Sequence, residues 1–300
     1  MEDIYVIGHK NPDTDSVASA IVYAGIRGYK AAVAGDMNPE TEFVLNKFGV
    51  VAPEVMTNAE GKKLVLVDHN ELAQMIEGGD KADIQEIIDH HKVAVMLAKP
   101  IAIRVEPVGS TATLIAKMYP NEVKSDPVRA GLLLSAILSD TVIFKSPTTT
   151  EEDRSTAAAL APICGIDDIV AYGIEMKKTN ASITGKSIAD VIGADFKAFD
   201  LAGKKIGVAQ TEMVDISEAV ERKGEIVARL NEIMTEGYDL VIYAATDIMN
   251  EGSELFFAGD KVVMEKAFGA KIEADNSVYV KGLMSRKKQI IPPLEEVYKQ

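Results

Sequence analysis

Cysteine is nearly missing from this 300-residue chain and tryptophan is missing altogether: Cys164 stands alone. A single thiol excludes an intramolecular disulfide and any centre built from several thiolates, and it fits a reducing compartment. Cys164 itself reads as a buried core thiol. No apolar run approaches the roughly 20 residues that cross a bilayer, which excludes a helical membrane protein. The first residues, MEDIYVIGHK, start acidic and pass through a short apolar run into a polar motif, unlike a secretory signal, so a cytoplasmic location is expected. Positive charge is also short. With 32 Lys and Arg against 46 Asp and Glu the formal charge is −14, which disfavours broad nucleic-acid binding. A small anionic substrate is still compatible, provided that bound metals or a local Lys/Arg cluster concentrate positive charge.

The length is about twice that of a common domain, so two domains are expected. The first half alternates short apolar runs with helical patterns, the signature of a mainly parallel sheet flanked by helices. Strands are predicted at Asp3 to Ile7, Lys63 to Val67, Gln85 to Ile88 and Ile101 to Val105. Helices are predicted at Val17 to Arg27, capped by Asp15 or Ser16, and at Ser110 to Met118 and Pro127 to Leu138, the last ending at Ser139-Asp140. Two further helical patterns, Thr150 to Cys164 and Asp167 to Lys178, lead into a polar linker from Thr179 to Ser187. The second half reads as a smaller α/β domain with a mixed sheet: strands at Lys205 to Gln210, Asp239 to Ala245, Glu254 to Ala258 and Ser277 to Leu283, one long amphipathic helix at Ser217 to Glu236 and another near Lys261 to Phe268. It closes on SRKKQIIPP, Ser285 to Pro293, where basic residues cluster.

Histidine is also scarce, and its placement is informative. The four histidines, His9, His69, His90 and His91, all fall in Asp-rich clusters that follow predicted strands: IGHKNPDTDS, VDHN and DHH. In open parallel sheets such strand ends deliver their loops to one crevice, so the clusters can converge. Imidazoles and carboxylates without thiolates suit Mn²⁺, Co²⁺, Mg²⁺ or Zn²⁺, and the dominance of carboxylate tilts the choice to Mn²⁺ or Mg²⁺. Asp13, Asp15, Asp68, Asp140, His9 and His90 are too many for one tetrahedral site and about right for two metals sharing a carboxylate. Blander readings exist for single residues. Asp13 could cap a turn, Asp140 could be a helix-end carboxylate, His69 reads as a residue that orients a ligand, and SRKK could be a solvated basic turn.

GHKNPDTDS, VDHN, DHH, LSDT, SPTTT and SRKKQ, in that order along essentially the whole chain, resemble the manganese-dependent family II inorganic pyrophosphatases of the DHH phosphoesterase superfamily. The resemblance implies a DHH metal-binding catalytic domain over residues 1–182 and a DHHA2-like substrate-binding domain over residues 188–300. It implies hydrolysis of pyrophosphate, entering between the domains as a magnesium complex, to two orthophosphates by a metal-activated hydroxide. The cofactor would be two Mn²⁺ per subunit, with Co²⁺ or Mg²⁺ as substitutes, and the assembly a homodimer. One metal would sit on His9, Asp13 and Asp68, the other on Asp15, Asp68, His90 and Asp140. His91 would face substrate as a candidate proton donor, and Lys197, Arg286 and Lys287 would clamp phosphate. The alternative is another DHH phosphoesterase acting on polyphosphate, short oligonucleotides or nucleotide phosphates. Such relatives usually carry a histidine-containing glycine-rich motif late in the chain, whereas no histidine follows His91 here.

Overall fold

The computed structural model describes residues 3–97, 99–181, 183–272 and 276–299. The chain divides into two compact units, Met1–Asn180 and Ala181–Gln300. Among the described residues no helix is long and apolar enough to cross a membrane.

Six strands form the sheet of the first unit: β1 Ile4–Ile7, β2 Lys30–Val33, β3 Glu54–Val55, β4 Lys63–Val67, β5 Asp83–Asp89 and β6 Ala102–Val105. Their order is β3-β2-β1-β4-β5-β6, and every neighbouring pair is parallel. Helices α1 Thr14–Arg27, α2 Pro39–Lys47, α3 Thr111–Met118, α4 Pro120–Lys124, α5 Pro127–Asp140, α6 Glu151–Leu160 and α7 Ile169–Ala181 flank it. The central strands read as unbroken apolar runs because both faces are covered: Val6, Ile7, Leu64, Val65, Leu66, Ile87 and Ile88 are all buried. Since β2 lies on one side of β1 and β4 on the other, the winding reverses at β1, and a crevice opens at the carboxyl ends of β1 and β4.

Several boundaries differ from those the sequence predicts. Helix α1 begins at Thr14 because Asp13, rather than Asp15 or Ser16, is its cap: Asp13 Oδ1 accepts a hydrogen bond from the Ser16 amide at 3.0 Å. Asp15 is thereby carried into the first turn, fully buried. Gly8 makes this possible, since a Cβ there would lie 2.4 Å from that of Ser16. Helix α7 runs through Ala181, so the expected linker is partly helical, and its residue 182 lies outside the described residues. Cys164 is only partly buried, in the turn after α6, where its thiol donates to the Ala161 carbonyl at 3.4 Å. Elements β2, α2, β3 and α4 have no counterpart among the elements the sequence predicts.

The second unit holds a five-stranded sheet made of β7 Phe196–Leu201, β8 Lys204–Met213, β9 Leu240–Asp247, β10 Gly252–Gly259 and β11 Ser277–Lys281. The order is β11-β10-β9-β8-β7, with β8 and β9 parallel and the other pairs antiparallel. Around it lie α8 Ile188–Ala194, α9 Ser217–Glu221, α10 Lys223–Met234, α11 Lys261–Phe268 and α12 Ile291–Tyr298. The predicted long helix is thus two, broken at Arg222, whose Nη1 donates to the carbonyls of Ile183 and Lys186. Strand β9 is buried along its whole length, between one core containing Tyr243 and Phe256 and another containing Ile242 and Phe257.

Candidate metal centre

The neighbouring strands β1, β4 and β5 each end in one of the His/Asp clusters, so the topology alone brings the three together. Asp68 stands at the centre, immediately after β4, with φ at +62°, a left-handed conformation that aspartate tolerates better than most residues. His9 and Asp13 face it on one side, with His9 Nε2 3.2 Å from Asp13 Oδ2 and 3.4 Å from Asp68 Oδ2. Asp13 therefore does both things the sequence allowed: one oxygen caps α1 and the other faces the histidine. On the other side, His90 Nε2 lies 3.2 Å from Asp68 Oδ1 and 3.4 Å from Asp140 Oδ2. Asp15, Asp68, His90 and Asp140 each offer a ligand atom within 4.8 Å of the others, and so do His9, Asp13 and Asp68.

Two observations test whether a divalent cation fits. His90 Nε2 is buried and has no hydrogen-bond partner among the described residues, while the ring's Nδ1–H donates to the Val108 carbonyl at 3.0 Å. In the neutral ring the lone pair is therefore on Nε2, aimed among carboxylates, which is how a histidine ligand is presented. Like charges also crowd here. Burial and the neighbouring Asp68 and Asp13 charges raise the Asp140 pKa to about 7, and burial with Asp68 and Asp140 raises that of Asp15. Burial alone would lower the histidines, yet the carboxylates outweigh it: Asp13 and Asp68 raise His9 to about 10, and Asp140 and Asp68 raise His90 to about 12. In Asp68 burial is likewise outweighed, and His9 and His90 depress its pKa. A cluster that draws in protons this strongly is one a cation would neutralise.

The other predicted residues are placed as follows. His91 is exposed, and its Nδ1–H donates to Asp89 Oδ1 at 2.8 Å, which raises its pKa. His69 is buried, with Nδ1 donating to the Val67 carbonyl, and belongs to none of the three groups of potential ligands that share Asp68, the third being Asp68, Asp89, His90 and His91. A cleft of about 420 Å³, lined by His9, Asp68, His69, His91 and Lys92 among others, opens over the centre. In the second unit, Lys197 on β7 and Lys287 are exposed. Arg286 opens one turn of π-helix, Arg286–Ile290, and is buried. Its Nη1 donates to the carbonyls of Asp195 and Val208 at 2.7 and 3.1 Å, and its Nη2 lies 3.0 Å from the Asp195 carboxylate. Lys197 Nζ is 3.6 Å from the same carboxylate.

Residues 3–137 match the DHH family, N-terminal domain, and residues 174–297 match the DHHA2 domain. A manganese-dependent inorganic pyrophosphatase of Methanocaldococcus jannaschii is 49% identical over 306 residues, covering 98% of this chain and 99% of the relative. The chain belongs to the manganese-dependent inorganic pyrophosphatase family. A second relative of the same description, from Methanothrix thermoacetophila, is 45% identical and covers 100% of this chain and 99% of its own length. A crystal structure from Methanococcus jannaschii, assigned provisionally to the family II inorganic pyrophosphatases, gives a TM-score of 0.63 at 48% identity over 99% of this chain and 100% of that one. An exopolyphosphatase-related protein of Bacteroides fragilis, at 14% identity and a TM-score of 0.51 over 99% of this chain and 92% of that one, shares the fold alone.

Against this family background, three features of the centre stand out that the sequence did not disclose. Asp89 accepts from the amides of His90 and His91 at 2.7 and 3.1 Å and from Asn70 Nδ2 at 2.5 Å, so it orients the two histidines that follow it. Asp15 sits in the amino-terminal cradle of α3, accepting from Thr111 N at 2.7 Å, Ala112 N at 3.0 Å and Ser110 Oγ at 2.8 Å. The Ser110 start of α3 was a readable helix cap, but nothing in the sequence says which carboxylate would occupy it. Ser16 Oγ donates to Asp68 Oδ2 at 2.7 Å, a contact across 52 positions with no local signature.

Proposed function

We propose that this chain hydrolyses inorganic pyrophosphate to two orthophosphates at a centre holding two divalent cations, manganese in the first place and Co²⁺ or Mg²⁺ as substitutes. The observation that carries this reading is the shared carboxylate. Asp68 belongs both to the His9–Asp13 group and to the Asp15–His90–Asp140 group, an N,O donor set without thiolate. When bound, the two cations acidify a water molecule and neutralise phosphoryl oxygens.

The chain's own residues do the rest. Asp15 is held in one orientation by the α3 amides, and His90 by Val108, so both ligands are fixed before any cation arrives. We assign His91 to the proton of the leaving phosphate: Asp89 holds its Nδ1–H and keeps the ring protonated to higher pH, while Nε2 is free to donate. Lys197 and Lys287 are assigned to phosphate oxygens. So is Arg286, whose bonds to Asp195 and Val208 use Nη1 and Nη2 and leave Nε out. In this reading residues 1–182 are the catalytic domain and residues 188–300 the substrate-binding domain, and the substrate is the magnesium complex. A homodimer and a cytoplasmic location complete it. The edge strand β6, with Ile103 44% exposed, supports the first, and the cysteine usage supports the second.

Phosphate release from pyrophosphate, tripolyphosphate and a short oligonucleotide, each with added Mn²⁺, tests the substrate. Pyrophosphate should be turned over fastest. Preferential cleavage of either of the others would move the chain to a different DHH activity.

A further inference from the structure

Glu40, in the first turn of α2, is 1% exposed and none of the roles above uses it. A carboxylate so deeply placed costs stability unless it is paired, and an apolar pair of the same volume is often the more stable choice. Its partners explain its position. Oε1 accepts from Thr14 Oγ1 at 3.0 Å and from Ser139 Oγ. Lys177 Nζ, on α7, lies 3.1 Å from Oε2 and 3.2 Å from Ser139 Oγ. Thr14 stands between Asp13 and Asp15, and Ser139 precedes Asp140. One side chain from α2 and one from α7 thus grip the start of α1 and the end of α5, the two backbone segments that carry three of the candidate ligands.

From this geometry we infer that the buried Glu40–Lys177 pair is a positioning device for the metal centre, setting the separation between Asp15 and Asp140 through the hydroxyls of Thr14 and Ser139. The inference rests on the two-cation reading of the centre. It bears unequally on the two groups. Asp15 and Asp140 both flank a Glu40 contact, whereas in the other group only Asp13 does. Loss of the grip should therefore weaken the Asp15–Asp68–His90–Asp140 group more, by the roughly 10- to 100-fold typical of residues that orient a ligand.

The test is Mn²⁺ titration by calorimetry on metal-free protein, with thermal melting of the same samples. Glu40→Gln and Lys177→Met should each lower the melting temperature and weaken one of two binding events. The double variant Glu40→Leu/Lys177→Leu separates packing from positioning, because removing both charges should restore much of the melting temperature while affinity stays low. If affinity returns together with stability, the pair only fills space and the inference is overturned. Ser139→Ala is the companion variant should the double one fail to fold. It keeps the ion pair and cuts only the link to the end of α5, and Mn²⁺ affinity equal to that of the parent would again overturn the proposal. Parent protein that binds two Mn²⁺, with variants that bind them equally well, refutes the positioning role and leaves the centre standing. Parent protein that binds none refutes the centre, and this inference with it.

Discussion

His90 donates its Nδ1–H to the carbonyl oxygen of Val108 across 3.0 Å, and that bond decides what the other ring nitrogen can do. Once the ring is neutral, it fixes the tautomer with the lone pair on Nε2, between Asp68 and Asp140. Val108 lies just ahead of α3, whose first amides hold Asp15. The same short segment therefore orients an imidazole and the carboxylate beside it, so two of the candidate ligands are held by contacts from outside the ligand set.

The shared position of Asp68 separates it from every other ligand. Asp68→Ala should weaken both Mn²⁺ binding events, by more than the roughly 10- to 100-fold expected when an orienting residue is lost, whereas Asp13→Ala should damage mainly one. Calorimetric titration distinguishes them. Two unaltered binding events in Asp68→Ala would contradict the bridge.

The raised histidines give the metal-free protein a definite pH response. A histidine whose folded pKa lies above its unfolded value contributes stability that is complete below about pH 6.5 and is lost as pH climbs through the folded value. For His9 that loss runs from about 6.5 to about 10 and for His90 from about 6.5 to about 12, so the metal-free melting temperature should fall as pH rises above neutrality. Cations need the deprotonated rings, so binding should release protons and tighten with increasing pH. Calorimetry in two buffers of different ionisation enthalpy reads the protons directly. Proton uptake on Mn²⁺ binding would contradict the assignment.

The basic residues of the second unit should fail in different ways. Lys287→Ala removes an exposed side chain, so it should leave Mn²⁺ affinity and melting temperature unchanged while lowering kcat/KM for pyrophosphate by about 30- to 1000-fold, equivalent to about 2–4 kcal/mol. Arg286→Ala should also cost about 1–3 kcal/mol of stability, because the carbonyls of Asp195 and Val208 lose their donor. Arg286→Lys keeps the charge and loses the fork, so it should recover neither fully. Urea unfolding beside steady-state kinetics checks both, and unchanged kcat/KM in Lys287→Ala would remove it from the phosphate site.

A purely structural prediction concerns α5. Gly131 has no room for a side chain, since a Cβ there would lie 2.2 Å from the Phe48 ring. Gly131→Ala should destabilise the protein by about 1–3 kcal/mol through overpacking, without changing Mn²⁺ stoichiometry. A melting temperature equal to that of the parent would show that the Phe48 ring can move aside.

How much of this was legible beforehand follows from the range of the interactions. The strands β1, β4 and β5 and the clusters after them were readable because apolar runs and the motifs they end in are local. The six candidate metal ligands were readable for the same reason, and the structure brings the other five around Asp68. The residues that orient them were not. Glu40 reaches Ser139 across 99 positions and Ser110 reaches Asp15 across 95, distances over which no periodicity or spacing carries information. Arg286 is the instructive intermediate case: its basic cluster was plain, but only the fold reveals that Asp195 already holds two edges of its guanidinium.

The central claim, a two-cation centre that hydrolyses pyrophosphate, is tested most directly by measuring phosphate release from pyrophosphate while Mn²⁺ is added back to chelated protein and bound metal is counted. The expected result is no release without metal and full activity only as the second equivalent binds. Full hydrolysis by exhaustively chelated protein, or full activity at a single bound Mn²⁺, would contradict it.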